Sequence, residues 1–294
     1  MFQILLSILL LIALLLNARG LQAEEFQPVQ YPDGYKAQLN QVYVEINNWQ
    51  GLMDLYLPPR GEAPTPVVIN IHGGGWNKGR KESQRGFGSF FRRGYAVANI
   101  SYRLVQVAPA PAAVEDVRCA LIYLINNAPD LNIDTQKIVF TGSSAGGHLA
   151  LMGGLLGNDR RFDGNCPAVE QEIRVAAIIN KYGIADVGDW AHGKHTSRSA
   201  VMWLGEGVDD LAFRRSVSPI THIKPDSPPV FTVHGDADPI VPYQQSVDLH
   251  KKLDEMGVRN QFVTVEGGAH GRFPKDRNRE VTNMSMQFLD SLGL

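Results

Sequence analysis

Apolar positions along this chain change period repeatedly, and each change marks an element. Residues 41–45 and 52–57 alternate apolar and polar until Pro58-Pro59 stops them, which predicts an antiparallel hairpin at a sheet edge. Continuous apolar runs come next, over residues 66–71, 95–101, 137–140, 175–180 and 228–233, and a last strand is read over 261–265. Runs of this kind suit strands covered on both faces. Helical spacing falls between them. Val114, Val117, Leu121, Leu124 and Ile125 predict a helix over 112–127, ending before Pro129. A second helix covers 244–255 and is closed by Gly257. A third covers 279–292, with Val281, Met284, Phe288 and Leu292 on one side. Residues 82–93 read as a helix that Gly86 and Gly88 weaken. Residues 181–219 carry no clean period and read as a cap inserted over a site. Strand and helix in alternation predict an α/β fold: a mostly parallel sheet with right-handed crossovers and flanking helices.

The chemistry concentrates at the end of the 137–140 run. There the chain reads Gly142-Ser143-Ser144-Ala145-Gly146, a G-x-S-x-G pattern between a strand and a helix. One frame fits, because centring on Ser143 would need glycine at Thr141 and Ala145. Ser144 is therefore the candidate nucleophile. A serine on so sharp a turn is held in a strained conformation with its hydroxyl pushed outward. Strand and helix crowd each other around it, so the residues two before and two after it must lack bulk. The first N–H groups of the helix face the same point, where developing negative charge is stabilised.

Three other loops follow buried strands. His72-Gly73-Gly74-Gly75-Trp76 follows the run at 66–71, and its glycines let backbone N–H groups approach a reacting oxygen. His72 is expected to brace this loop. Trp76 either walls the pocket or simply packs, and Trp203, in the cap, is a further candidate pocket wall. His234-Gly235-Asp236-Ala237-Asp238 follows the run at 228–233, and either aspartate sits where a triad acid belongs. His270 lies in a glycine-rich loop past the last strand, whereas His250 is mid-helix and reads as a surface or packing residue. The chain order Ser, Asp, His is that of α/β-hydrolases and differs from the chymotrypsin and subtilisin orders.

Composition adds bounds. With 294 residues, 44% apolar content and a formal net charge of -2, the chain can bury a large core and has no pull toward nucleic acid. Residues 5–16 are almost wholly apolar and are followed by small and polar residues up to Ala23. This reads as a signal peptide over 1–23 and hence an exported protein, although no base precedes the run, which leaves a membrane anchor open. The run is shorter than the ~20 residues that span a bilayer. Cys119 and Cys166 are free to pair or to stay reduced; their spacing holds no geometry. His192 and His195 stand three apart, but no third ligand of fitting context accompanies them, so no metal is expected. Asp116 and Arg118 read as solvated or structural charges.

The quoted motifs, from Ile71-His72-Gly73-Gly74-Gly75-Trp76 through Gly142-Ser143-Ser144-Ala145-Gly146-Gly147-His148-Leu149-Ala150 and His234-Gly235-Asp236-Ala237-Asp238-Pro239 to Gly268-Ala269-His270-Gly271, resemble the feruloyl-esterase-like carboxylesterases of the α/β-hydrolase superfamily. The resemblance covers about residues 40–290. It implies Asp238, not Asp236, as the triad acid. It also implies oxyanion donors at Gly73 or Gly74 and at Ala145, and hydrolysis of short-chain or carbohydrate-linked esters with neither metal nor organic cofactor. Arylformamidase, peptidase and catalytically inactive binding protein are the alternatives.

Overall fold

A computed structural model describes residues 28–192 and 196–294. The apolar leader and His195 lie outside the described residues. Among the described residues no helix is long and apolar enough to cross a membrane, and no group of three His, Cys, Asp or Glu side chains is placed to hold a metal ion.

Eight strands form one sheet in the order β1-β2-β4-β3-β5-β6-β7-β8. They are β1 (Lys36–Ile46), β2 (Trp49–Leu57), β3 (Thr65–Ile71), β4 (Ala96–Ile100), β5 (Ile133–Ser143), β6 (Ala177–Lys181), β7 (Val230–Gly235) and β8 (Asn260–Val265). The first two strands form the predicted hairpin, and β2 also runs antiparallel to β4; the remaining pairs are parallel. Ile46 pairs with Trp49, so the hairpin turns on two residues, Asn47 and Asn48, both at positive φ. That is the turn whose twist matches paired strands, and asparagine tolerates it well.

Helices cover both faces. They are α1 (Gly88–Phe91), α2 (Ala112–Asn126), α3 (Ala128–Leu131), α4 (Ala145–Leu155), α5 (Val187–His192), α6 (Arg198–Leu204), α7 (Leu211–Ser216), α8 (Gln244–Glu255) and α9 (Lys275–Asp290). Successive strand residues point to opposite faces, and the core splits accordingly. Val67, Ile69, Ile138, Phe140 and Ile178 pack against α2, α4 and α8. Val68, Val97, Val139, Ile179, Phe231 and Val233 pack against α1 and α9. The expected helix over 82–93 is replaced by a single 3-10 turn at Lys81–Ser83 and the short α1, with Gly86 at φ +92° between them. A left-handed residue cannot continue a right-handed helix.

The charges on α2 are structural. Asp116 is buried and accepts from the Arg103 backbone and guanidinium, at 2.6 and 2.9 Å. Arg118 is buried and engages Asp163 at 2.8 and 2.9 Å. Next to this pair Cys119 and Cys166 form a disulfide across a separation of 47 residues, which ties α2 to the loop after α4. Cross-linking a loop of that length restricts the unfolded chain by about 4 kcal/mol. The double variant Cys119→Ala/Cys166→Ala is expected to lose about that much in a urea titration; an unchanged midpoint would show that the bridge adds nothing.

Candidate active site

Strand β5 delivers Ser143 and α4 begins at Ala145, so Ser144 is the whole connection. Its backbone sits at φ 55° and ψ -125°, a conformation that costs a non-glycine residue about 1–3 kcal/mol. The turn is fixed from outside: the Ser144 amide donates to the Lys181 carbonyl at 2.9 Å, and the Ser144 carbonyl accepts from the His148 amide at 3.0 Å. The crowding expected of the motif is present. A Cβ on Gly142 would meet the Gly146 carbonyl oxygen at 2.2 Å, and one on Gly146 would meet that of Ile71 at 2.2 Å. Neither backbone can yield.

Strand β3 ends at Ile71 and leads into the glycine loop. His72 braces it: Nδ1–H donates to the Gly73 carbonyl at 2.8 Å, and the ring stacks on Tyr102 at 4.2 Å. The Tyr102 hydroxyl in turn donates to the His72 carbonyl at 3.1 Å. Burial lowers the His72 pKa from its ordinary value, which keeps the imidazole neutral. Gly73 lies against the elbow, where a Cβ would come within 2.7 Å of the Ser143 carbonyl oxygen and 3.3 Å of the Ser144 Cβ. Gly74 is at φ +117°. Ala145 is the first residue of α4, so its N–H has no acceptor within the helix.

The loop after β7 places Asp238 with its side chain fully buried. Oδ1 accepts from the amides of Ile240 at 2.8 Å and Val241 at 3.0 Å. Oδ2 lies 2.6 Å from His270 Nδ1 and 3.2 Å from His234 Nε2. Burial alone would raise the carboxyl pKa. The hydrogen bonds from His234, His270 and the Ile240 amide outweigh it and hold Asp238 well below the usual carboxylate range. The two aspartates left open by their spacing are thereby separated. Asp236 does not hold the histidine; its Oδ1 accepts from the Gly267 amide at 2.7 Å and so ties this loop to the loop after β8.

His270 rests on Tyr182, ring centroids 4.8 Å apart. Tyr182 also neighbours the Ser143 side chain, so one ring lies beside both the histidine loop and the elbow. Ser144, Asp238, His270, Gly73 and Gly74 all line one cavity of about 1420 Å³, together with Tyr182, Trp190 and Tyr243. No quoted motif contains Tyr182, and the motif that contains His234 gave that histidine no role of its own. The signal available for the first was its position just past a buried parallel strand.

Trp76 and Trp203 are a correction. Neither lines the cavity; they are 0% and 1% exposed and stack on each other at 4.5 Å. His148 stands edge-on to both, at 5.1 and 5.0 Å, and donates from Nε2 to the Val217 carbonyl at 2.9 Å. Burial takes the His148 pKa down to about 4, so it too is neutral. The chain turns at Trp76 with φ +57°, and the indole packs into the core beneath the glycine loop. The tryptophan on the cavity wall is Trp190, from α5. His192 donates to the Val208 carbonyl at 2.6 Å.

A mostly parallel sheet with a strained serine between strand and helix, and an Asp–His pair on the loops of two later strands, defines an α/β-hydrolase. Comparison with known proteins narrows this. The chain belongs to the BD-FAE family, whose model matches residues 53–253. It is 27% identical over 267 residues to Esterase LipQ of Mycobacterium tuberculosis, covering 87% of this chain but 62% of that one, so it spans less than two thirds of that relative. It is 38% identical over 255 residues to an AB hydrolase superfamily protein of Schizosaccharomyces pombe, covering 76% of this chain and 72% of that one. Among solved structures it is similar to a truncated carbohydrate esterase from gut microbiota, with a TM-score of 0.75, 26% identity and coverage of 89% of this chain and 98% of that one.

Proposed function

We propose that this protein is a serine hydrolase of carboxylic esters, acting on short-chain or carbohydrate-linked substrates through an acyl-enzyme. The observation that carries the reading is the 2.6 Å contact of Asp238 with His270 Nδ1, which leaves Nε2 of that histidine as the base on a cavity shared with Ser144. His270 takes the proton as Ser144 Oγ attacks the ester carbonyl carbon. Asp238 fixes the tautomer and stabilises the imidazolium. The N–H groups of Ala145 and of Gly73 or Gly74 receive the oxyanion. His270 then protonates the leaving alcohol, and water, activated by the same imidazole, releases the acid. No step calls on a metal or an organic cofactor.

The segment between β6 and β7 serves as the cap. It contributes Trp190 and residues 196–199 to the cavity wall. Asn77, Gln84, Ser197, Ser199 and Gln244 line the same cavity as Trp190 and Tyr243. Hydroxyls and amides around aromatic faces suit a sugar ring, which presents both polar edges and apolar C–H faces. The likeness to a carbohydrate esterase supports that substrate class. Export through residues 1–23 fits the Cys119–Cys166 bridge, since disulfides persist in oxidising compartments.

The test is a panel of p-nitrophenyl acetate, p-nitrophenyl butyrate, acetylated and feruloylated xylo-oligosaccharides and N-formylkynurenine. We expect turnover of the esters, with the sugar-linked ones at the higher kcat/KM. Turnover of the formamide alone would reassign the chain to amide hydrolysis. Inertness of the folded protein toward the whole panel would leave a binding role.

A further inference from the structure

Among the described residues the buried cations Lys81, Arg103 and Arg118 are all paired. Lys81 Nζ has Asp54, Glu82 and Asn40 within 2.9, 2.7 and 2.8 Å. Arg103 and Arg118 are held by Asp116 and Asp163. Lys181, at the end of β6, is only partly buried, yet its ammonium has no hydrogen bond or ion pair among the described residues, and desolvation lowers its pKa. A lysine so placed normally has a partner, because an uncompensated charge is costly to desolvate.

Lys181 lines a second cavity, of about 200 Å³. Strand alternation locates it. Thr141 is in register with Ile179, and Ser143 with Lys181, so Thr141, Ile179 and Lys181 face the side covered by α1 and α9. The walls include Phe90, Phe231 and Met286. Exposed Asn278 and Thr282, with the half-buried Ser89, form the mouth. Thr141 is 1% exposed, yet its hydroxyl has no partner. Two unmet polar groups of one cavity therefore sit among apolar walls.

Their chemistry specifies a ligand. One ammonium and one hydroxyl supply donors for a single negative charge. A phosphate or sulfate would leave charged oxygens against Phe90 and Phe231, whereas a carboxylate with a short alkyl tail would bury the tail there. At about 30 Å³ for each liquid water the cavity holds roughly seven waters, room enough for a butyrate-like molecule. We propose that this cavity binds a short-chain monocarboxylate, its carboxylate on Lys181 Nζ and Thr141 Oγ1 and its tail against Phe90, Phe231 and Met286. Tyr182 and Gly271 line both cavities, so the bound acid lies one wall away from His270. That it belongs to the class of acid the enzyme releases rests on the ester-hydrolase reading; the binding itself does not.

Calorimetric titration of the full chain with sodium butyrate tests this. Wild type should bind with one-site saturation, and protein first labelled with a fluorophosphonate should bind equally well. Lys181→Met should weaken binding at least tenfold, and the isosteric Thr141→Val about threefold. Butyramide, uncharged but of the same shape, should not bind. The methionine variant should melt no lower than wild type, since it removes an unpartnered charge. Should it fail to fold, Thr141→Val and butyramide still decide. Absence of butyrate binding at high millimolar concentration, equal affinity in Lys181→Met, equal binding of butyramide, or loss of binding on labelling would each overturn the proposal. Failure of the fluorophosphonate to label counts against the ester-hydrolase reading alone, because the other arms do not use Ser144.

Discussion

Ser144→Ala is expected to abolish fluorophosphonate labelling and to lower kcat on p-nitrophenyl acetate by roughly 10⁶-fold, the scale found when a serine hydrolase loses its nucleophile. The fold should survive, because the elbow is held by the Ser144 amide and carbonyl, which alanine retains. Its backbone strain also remains, since alanine at φ 55° and ψ -125° is no more comfortable than serine. Ser144→Gly separates the two effects. Glycine adopts this conformation freely, so that variant should be equally inactive yet about 1 kcal/mol more stable, once its greater freedom in the unfolded chain is subtracted. Ser143→Ala is the control for the reading frame. It removes a hydroxyl beside Tyr182 and should cost far less than the loss at Ser144. A folded Ser144→Ala protein within tenfold of wild-type activity would move the chemistry elsewhere in the cavity.

The sheet and the elbow were legible for different reasons. The strands show in apolar runs that are continuous because both faces are covered, and the core divides along the strands' alternation. The elbow was legible because its glycines answer a local steric demand, 2.2 Å contacts that no side chain survives. Where a side chain points after a loop is not a local matter. Trp76 leads out of the glycine loop and looks like a wall, yet a positive φ and the space beside Trp203 and His148 send it into the core. The pairing of Cys119 with Cys166 depends on where the loop after α4 returns, which their spacing of 47 does not encode. Tyr182 and Lys181 were missed because neither belongs to a motif; their neighbours across β5, β7 and the loop after β8 give them significance. The helix expected over 82–93 failed at Gly86, a residue already marked as weakening it.

Asp238→Asn should lower kcat by about 10⁴-fold, as the same change does in a serine protease triad where it imposes the wrong histidine tautomer. Here the damage extends further. The carboxylate accepts from two backbone amides through Oδ1 and faces two histidines through Oδ2. An asparagine offers one oxygen, so either the amides or the histidines must face its NH₂ group. Asp236→Asn should matter much less, because the amide oxygen can still accept from Gly267. The pH dependence has a definite sign. The folded-state pKa of Asp238 is depressed below the unfolded value of about 3.9, so its stabilisation is fully present above that value and is lost as pH falls through the folded one. The stability gap between wild type and Asp238→Asn, measured as urea midpoints, should therefore be full at pH 7 and begin to narrow only below about pH 4, where carboxylates of ordinary pKa protonate first. Over the range in which activity is assayed, Asp238 stays ionised and should contribute no limb to the rate profile. A gap that closes between pH 7 and pH 5, or a larger loss from Asp236→Asn than from Asp238→Asn, would mean that the 2.6 Å contact is not the pair on which His270 depends.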